Sequence, residues 1–318
     1  MSEEPNETNR TTPGLRPDEP MTEAGRKVLR FHFERMLEHE PGAHAGEDLD
    51  ALHDMRVATR RQRAAFRLFA PYFKPKAIRP FGRELRTLGA HLGAVRDLDV
   101  LMEAAKAYPV ELASDEADSL QPLLDLWTSQ RDQARAELLT YLDGDEYAAF
   151  KESYSAFLET EGAGVQNPTA DLPQTTWVRH ALPGRIWDHY SAVRAYELAL
   201  ARASLETLHA LRIAAKRLRY ALEFFREVLD PSVEETIAAV VGLQDHLGQL
   251  HDADVTVGLL QDFLRRGASP PPVREAVENY LKFKQARLRT LRRSAKRPWR
   301  QVTRKRCRRL LARALAGL

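Results

Sequence analysis

Two basic segments decide how this sequence folds: LHDMRVATRRQRAAFRLF at residues 52–69 and LHALRIAAKRLRYALEFF at residues 208–225. At about 100° per residue, the basic residues of the first segment fall on one helical stripe about 80° wide. That stripe consists of His53, Arg56, Arg60, Arg63 and Arg67. The second segment repeats it with His209, Arg212, Lys216 and Arg219. Both segments are apolar on the opposite side, so the pattern predicts two amphipathic helices with cationic faces.

The similarity extends beyond the basic segments. HDMRVATRRQR aligns with HALRIAAKRLR at an offset of 156 residues, and GAHLGAVRDLDV (89–100) aligns with QDHLGQLHDADV (244–255) at an offset of 155. Two collinear matches at nearly one offset indicate an internal duplication, and the period is far too long for a solenoid repeat. The sequence therefore predicts two similar helical halves, related by a pseudo-twofold axis.

The charge of the chain is unevenly distributed. The net charge is +3, but residues 282–318 contain 15 Lys and Arg and no acidic residue. The preceding 281 residues hold the other 33 of the 48 basic residues and all 45 acidic ones. A mildly acidic body with concentrated basic elements suggests an anionic partner.

Helical periodicity covers nearly the whole chain, and strand patterns are absent, so we predict an all-α fold. We expect a disordered tail at 1–22, a first half at 23–160, a Gly- and Pro-rich linker at 161–176, a second half at 177–300 and a basic C-terminal helix at 301–318. Asp50 and Ser204 are the expected N-caps of the two basic helices. The predicted helices are 23–40, 48–71, 79–93, 97–108, 115–142, 145–160, 177–203, 206–229, 232–248, 252–266, 271–294 and 298–315.

The segments LGAVRDLDV and LGQLHDADV each indicate a helix end, a glycine turn and a new helix. Asp97 and Asp252 would then cap the new helices and interact favourably with their dipoles. In this interpretation the two aspartates have a structural role.

The cationic stripes place like charges at i,i+3 and i,i+4, where ordinary exposed helices pair opposite charges. The repulsion must be offset by a bound polyanion or by other carboxylates. Arginine suits phosphate because its planar fork donates two parallel hydrogen bonds. The alternatives are a solvated face, or neutralisation from within the protein by Asp97, Asp99, Asp252 and Asp254.

We expect no catalytic residue, metal or cofactor. The chain has one cysteine and shows no metal-binding His motif, phosphate loop or nucleophile elbow. His53 and His209 either donate to phosphate or fix the start of their helices. With no signal peptide and no long apolar run, the expected location is cytoplasmic.

The basic C-terminal stretch from residue 282 onward allows several interpretations. It extends an anion-binding surface, binds nucleic acid without specificity, lies on acidic lipid, or is a solvated helix whose apolar stripe packs on the body. Nucleic-acid binding through this stretch is our alternative function. The basic stripes themselves lack interleaved stacking aromatics, apart from Tyr220.

With both basic helices and both LG…D-x-D-V segments, residues 23–300 resemble the CHAD family, the conserved histidine α-helical domain. The shared motif is H-x-x-R-[VI]-x-x-[RK]-R-x-R at 53–63 and 209–219. The resemblance implies two pseudo-symmetric antiparallel four-helix bundles. It also implies a basic central surface that binds inorganic polyphosphate, often at polyphosphate granules, without known catalysis.

Carried over by position, and with Arg67 added from the stripe, the resemblance gives a set of expected polyphosphate ligands. They are His53, Arg56, Arg60, Arg61, Arg63, Arg67, His209, Arg212, Lys216, Arg217 and Arg219. Many family members carry a triphosphatase domain with an E-x-E-x-K strand, which this chain lacks. Lys216 replaces an arginine of the motif, and Glu223 stands where the first half has Arg67, so the halves are expected to bind unequally.

Overall fold

The computed structural model describes residues 11–46, 48–112, 118–166, 176–267 and 270–318. These residues are predominantly α-helical, and their β-pairings are two isolated bridges, Pro20 with Trp177 and Phe73 with Val165. The all-α prediction is confirmed. The helices are α1 Met21–Ala45, α2 Leu49–Phe69, α3 Pro75–Leu112, α4 Gln121–Leu142, α5 Asp145–Glu159, α6 Val178–Arg194, α7 Leu205–Phe224, α8 Val233–Arg266, α9 Pro271–Ser294, α10 Lys296–Thr303 and α11 Lys305–Ala316.

Helix neighbours follow the same order in the two halves. The first half packs α1 on α2, α2 on α3 and α3 on α4, and the second packs α6 on α7, α7 on α8 and α8 on α9. Between the halves, α1 contacts α6 and α2 contacts α7. Each of these helices thus meets its own counterpart, as a twofold arrangement requires. The division into two four-helix bundles stays a prediction.

The long helices α3 and α8 run without a break through the two LG…D-x-D-V segments. The predicted glycine turns, and the N-cap roles of Asp97 and Asp252, are therefore wrong. Of the two glycines in the first segment, Gly89 lies close to an arginine of α2, whereas Gly93 has room for a side chain. A Cβ on Gly89 would lie 2.9 Å from an Arg63 Nη atom, and one on Gly93 would lie 3.7 Å from Arg56 Nε.

The protein has two separate apolar cores, and the two LG…D-x-D-V segments lie between them. The larger core spans both halves and includes Leu92 of α3 and Leu250 of α8. The smaller core is built where the C-terminal half of α3 and the start of α4 meet the end of α8 and the start of α9. Between the two cores, α3 and α8 carry a polar layer. In this layer an oxygen of the mostly buried Asp99 of α3 lies 3.1 Å from Nε of Arg131, a residue of α4. The carboxylates belong to this layer, and they interrupt the apolar pattern without interrupting the helix.

The N-terminal segment is more ordered than we expected. Residues 1–10 lie outside the described residues, but residues 11–20 pack on the helices and residue 21 begins α1. Leu15 is buried, and its backbone N–H donates to a Glu227 oxygen at 2.8 Å. The prediction of disorder is therefore wrong for residues 11–22. Of the predicted linker, residues 161–166 and 176 are described, and residues 167–175 lie outside the described part.

The C-terminal basic stretch forms the end of α9 followed by α10 and α11. Its apolar side is buried against α8, with Trp299, Val302, Cys307 and Leu311 all nearly inaccessible to solvent. The indole N–H of Trp299 donates to the Val193 carbonyl oxygen at 2.9 Å. This packing agrees with the docked-helix interpretation. None of the helices in the described ranges has the length and apolarity needed to cross a membrane.

Candidate functional site

Helices α2 and α7 are anchored by caps and by buried faces. The Ser204 hydroxyl accepts from the Thr207 backbone N–H at 3.2 Å, which confirms the predicted cap of α7. The predicted cap of α2 is shifted by two residues, because Asp48 accepts from the Asp50 N–H. The face of each helix opposite its basic stripe is buried in the larger core. Its members include Leu52, Met55, Ala65, Phe69, Leu208, Leu211, Ala215 and Leu218.

A cavity of about 690 Å³ lies between α2 and α7, with contributions from α3 and α6. Helices α2 and α7 contact each other here. The first stripe supplies four arginines to the lining, and α7 supplies Lys216 of the second stripe and the adjacent Arg217. No carboxylate belongs to the described lining. The lining residues are Arg56, Arg60, Arg63, Ala64, Arg67, Leu68, Gly89, His189, Ile213, Lys216, Arg217, Tyr220 and Ala221.

Three predicted site residues are paired with carboxylates. Arg56 lines the cavity, but one of its Nη atoms also lies 2.7 Å from an oxygen of the exposed Asp97. Glu223 accepts from Arg61 at 3.0 Å and from Arg219 at 2.5 Å. The structure therefore holds Arg61 and Arg219 in an ion-pair cluster between the halves, and neither lines the cavity.

The other basic residues of the cavity have no such partner. Within the described part of the chain, no carboxylate lies within ion-pair distance of Arg60, Arg63, Arg67, Lys216 or Arg217. Two further donors in this region are buried without a hydrogen-bond partner, the Arg60 Nε–H and the Tyr220 hydroxyl. Five uncompensated cations and an unpaired hydroxyl give a concentrated set of donors for an anion.

Electrostatic crowding is strongest at Lys216. Burial, and after it the neighbouring arginines with Arg60 first among them, together lower the pKa of this ammonium to about 7. His189 on the opposite wall has a pKa lowered by burial and by Arg217. These shifts have the sign expected of a site that lacks its counter-charge.

The predicted site residues His53, His209 and Arg212 lie near the polar layer and do not line the cavity. Partial burial and Arg96 lower the pKa of His53, and the His53 Nδ1 atom is buried without a partner. His209 lies against His251, with ring centroids 5.3 Å apart. The pKa of Asp252 is raised, mainly because the carboxylate is partly desolvated. The nearby Asp97 acts in the same direction, and Arg212 opposes it.

Sequence reasoning missed several basic residues near the cavity. A groove of about 460 Å³ adjoins it, shares Arg63 and Arg67 with it, and adds Arg79, Arg83 and Arg86 of α3. Their i, i+4, i+7 spacing placed them on one helical face, a signal that was available in the sequence. His189 carried no comparable signal, because it lies outside both copies of the basic motif.

Comparisons with known proteins agree with this architecture. The CHAD domain profile matches residues 27–261. A crystal structure of the CHAD domain from the plant Ricinus communis superposes with a TM-score of 0.68, at 24% identity over 94% of this chain and 93% of that one. PptA from Streptomyces chartreusis superposes with a TM-score of 0.66, at 17% identity over 89% of this chain and 100% of that one. A search of curated proteins found no match.

The fold and the site thus define an all-helical protein with a cationic cavity between two central helices. The profile match covers well over half of the sequence, and the chain belongs to the CHAD-domain family. The family resemblance drawn from the two histidine–arginine motifs is confirmed.

Proposed function

We propose that this protein binds inorganic polyphosphate in the cavity between α2 and α7, without catalysis. The observation that carries the proposal is the set of five cavity-facing cations that have no carboxylate partner in the described structure: Arg60, Arg63, Arg67, Lys216 and Arg217. Repulsion among them disfavours the empty site, and a bound polyanion relieves it.

The arrangement of the donors favours a chain of phosphates over a single anion. Arg56, Arg60, Arg63 and Arg67 follow one another along α2 at i, i+4, i+7 and i+11, so their Cα atoms span about 16 Å of helix axis. Each guanidinium offers a planar fork to successive phosphate oxygens. Lys216 and Arg217 approach the same space from α7.

The lining also argues against the main alternatives. Tyr220 is the one Phe, Tyr or Trp in the described lining, so the cavity offers little surface on which nucleobases could stack. The described lining has no carboxylate to hold a divalent cation or activate water, which supports a non-catalytic role. Nucleic-acid binding by the exposed basic side chains of α9–α11 stays a secondary proposal.

A competition titration tests the proposal. Fluorescently labelled polyphosphate is bound to the full chain at physiological salt, and duplex DNA is added in large phosphate excess. We expect polyphosphate to remain bound, because a duplex cannot enter the cavity. We also expect affinity to fall steeply with salt, since each neutralised phosphate releases counterions.

Two results would overturn the proposal. One is complete displacement of polyphosphate by DNA at equal phosphate concentration. The other is an affinity that does not change with salt. Hydrolysis is checked in the same samples by measuring released orthophosphate, and steady release that depends on the protein would contradict a non-catalytic role.

The proposal extends to an association with polyphosphate granules in the cytoplasm. A fluorescently tagged chain should collect on granules in cells that accumulate polyphosphate. It should be diffuse in cells that cannot make the polymer. Equal distribution in both would contradict this extension.

A further inference from the structure

We propose that the polyphosphate site is one-ended, with a second binding segment in the groove that Arg79, Arg83 and Arg86 form on the N-terminal part of α3. This inference rests on the proposed function. It predicts the path of the ligand: a polyphosphate chain that is too long for the cavity continues along α3 of the first half and not along α8, the equivalent helix of the second half.

Continuity between the two spaces is the first observation. Arg63 and Arg67 line both the cavity and the α3 groove, so an extended anion can pass from one to the other without leaving cationic surface. Burial lowers the pKa of Arg63, and the positive charge of the nearby Arg86 acts in the same direction. The floor of the groove is apolar, formed by Phe66, Ala70 and Ile78.

The charge of the groove is the second observation. Arg79, Arg83 and Arg86 are exposed and, among the described residues, have no carboxylate within ion-pair distance. The first turn of α3 contains no acidic residue to balance the positive end of its dipole. An anion lying here would meet three arginine forks over about 10 Å of helix axis.

The second half lacks this surface. At the offset of 155 residues that aligns α3 with α8, the three arginines correspond to Glu234, Ala238 and Val241. The first turn of α8 is acidic, and Glu234 is occupied by a two-pronged contact with Arg226. The duplicated fold thus offers a phosphate chain a cationic path on one side and an acidic helix start on the other.

The polar layer closes the remaining end of the stripes. There Asp97 pairs with Arg56, and Asp252 lies near both of them. Two carboxylates at this end would repel an extending phosphate chain. Because Asp97 already pairs with Arg56 at this end, the groove of α3 is the more favourable exit from the cavity.

The test compares ligand lengths in two variants of equal charge. Arg79→Ala/Arg83→Ala/Arg86→Ala removes the groove, and Arg289→Ala/Arg293→Ala/Arg297→Ala removes three exposed charges from α9 and α10. Binding of tripolyphosphate and of long-chain polyphosphate is measured by calorimetry for both variants and the unaltered chain. Tripolyphosphate reports on the cavity alone, and the long chain reports on the cavity plus the groove.

We expect the groove variant to bind long chains about tenfold more weakly, with a shallower salt dependence, while its affinity for tripolyphosphate changes less than about twofold. The α9 variant should bind both ligands nearly as the unaltered chain does. Equal long-chain affinities in the two variants would overturn the inference, as would a groove variant that loses both ligands in the same proportion. Failure of the unaltered chain to bind either ligand would instead refute the proposed function itself.

Discussion

The basic helices α2 and α7 carry the same sequence motif, yet the structure places their charges differently. Helix α2 directs Arg60, Arg63 and Arg67 into the cavity with no carboxylate partner in the described structure. Helix α7 directs Lys216 and Arg217 there, while Arg219, the counterpart of Arg63, is held by Glu223. Glu223 is the counterpart of Arg67, so one substitution both removes a cation and neutralises two others, Arg219 and Arg61.

The comparison shows that the same motif leaves some of its charges uncompensated and pairs others with carboxylates, and we propose that only the uncompensated charges bind an anion. Arg61 and Arg219 belong to the same sequence motif as Arg60 and Arg63, but their ion pairs commit them to holding the halves together. Breaking such a buried or half-buried pair costs stability, whereas a cation left without a partner stores repulsion that an anion can relieve.

Charge reversal on both helices should have the largest effect. Arg60→Glu combined with Lys216→Glu should weaken polyphosphate binding by at least about 100-fold, because it places two carboxylates among the phosphate ligands. Circular dichroism should show unchanged helicity. The melting temperature should rise, since the new carboxylates relieve repulsion among the arginines.

The matched control reverses two exposed charges on the C-terminal helices, Arg300→Glu with Arg309→Glu. It alters net charge by the same amount and should keep most of the affinity. Deleting α11 would be a poorer control, because Cys307, Leu311 and Ala314 are buried and truncation would expose the core. If the control weakens binding as much as the cavity variant does, general electrostatics and not the cavity governs affinity.

Binding should also depend on pH through Lys216. In the free protein its pKa is about 7, so the ammonium is charged below that pH and increasingly neutral above it. A bound phosphate raises this pKa, and binding above pH 7 therefore takes up a proton. Affinity should fall about tenfold from pH 6.5 to 8.5. Lys216→Arg, which stays charged, should flatten the profile. If the affinity of this variant depends on pH as steeply as that of the unaltered chain, the pH dependence arises from another group, such as His53 or His189.

Arg63 and its counterpart Arg219 should differ in how much they contribute to polyphosphate affinity. Arg63→Ala should weaken polyphosphate binding about fivefold, because this side chain faces the cavity without a carboxylate partner. Arg219→Ala should change affinity less than about twofold and should lower thermal stability instead. The measurement is a parallel binding and melting series on the two single variants. Equal losses of affinity would remove the distinction between the helices.

Removing the Glu223 carboxylate should leave the arginines near α7 uncompensated, as those of α2 are. Glu223→Gln frees Arg61 and Arg219, and we expect polyphosphate affinity to rise about twofold. Because two guanidinium groups lose their partner, the free energy of unfolding should fall by about 1–3 kcal/mol. Glu234→Gln, an exposed carboxylate of α8, makes the same charge change and should alter neither property appreciably. A Glu223→Gln variant with reduced affinity would contradict this account.

Much of this architecture is readable from the sequence, because helical periodicity and a long-range repeat are strong signals. The stripe positions of Arg56, Arg60 and Lys216 follow from 100° per residue, and the structure brings these side chains to one cavity. Their role as phosphate ligands stays a prediction. The prediction of glycine turns is wrong. Glycine near aspartate suggests a helix end, whereas α3 continues through this segment and Gly89 lies close to the Arg63 guanidinium.

Other features depended on tertiary contacts that sequence spacing does not reveal. Nothing local indicates that Glu223 bridges Arg61 across the two halves, or that His189 of α6 joins the cavity wall. The groove of α3 lies outside the repeated motif and its arginines occur in one half alone, so the duplication gives no indication of it. The differences between the two halves are therefore the features that the sequence predicts least well.

Chemical footprinting of Lys216 tests the central claim most directly. With its pKa near 7, this amine should acylate readily at neutral pH, and its modification can be followed by mass spectrometry beside the exposed Lys76 and Lys305. We predict that saturating polyphosphate protects Lys216 by covering it and raising its pKa, while Lys76 and Lys305 react as before. Unchanged labelling of Lys216 together with protection of Lys305 would place the polyphosphate on the C-terminal helices and contradict the cavity.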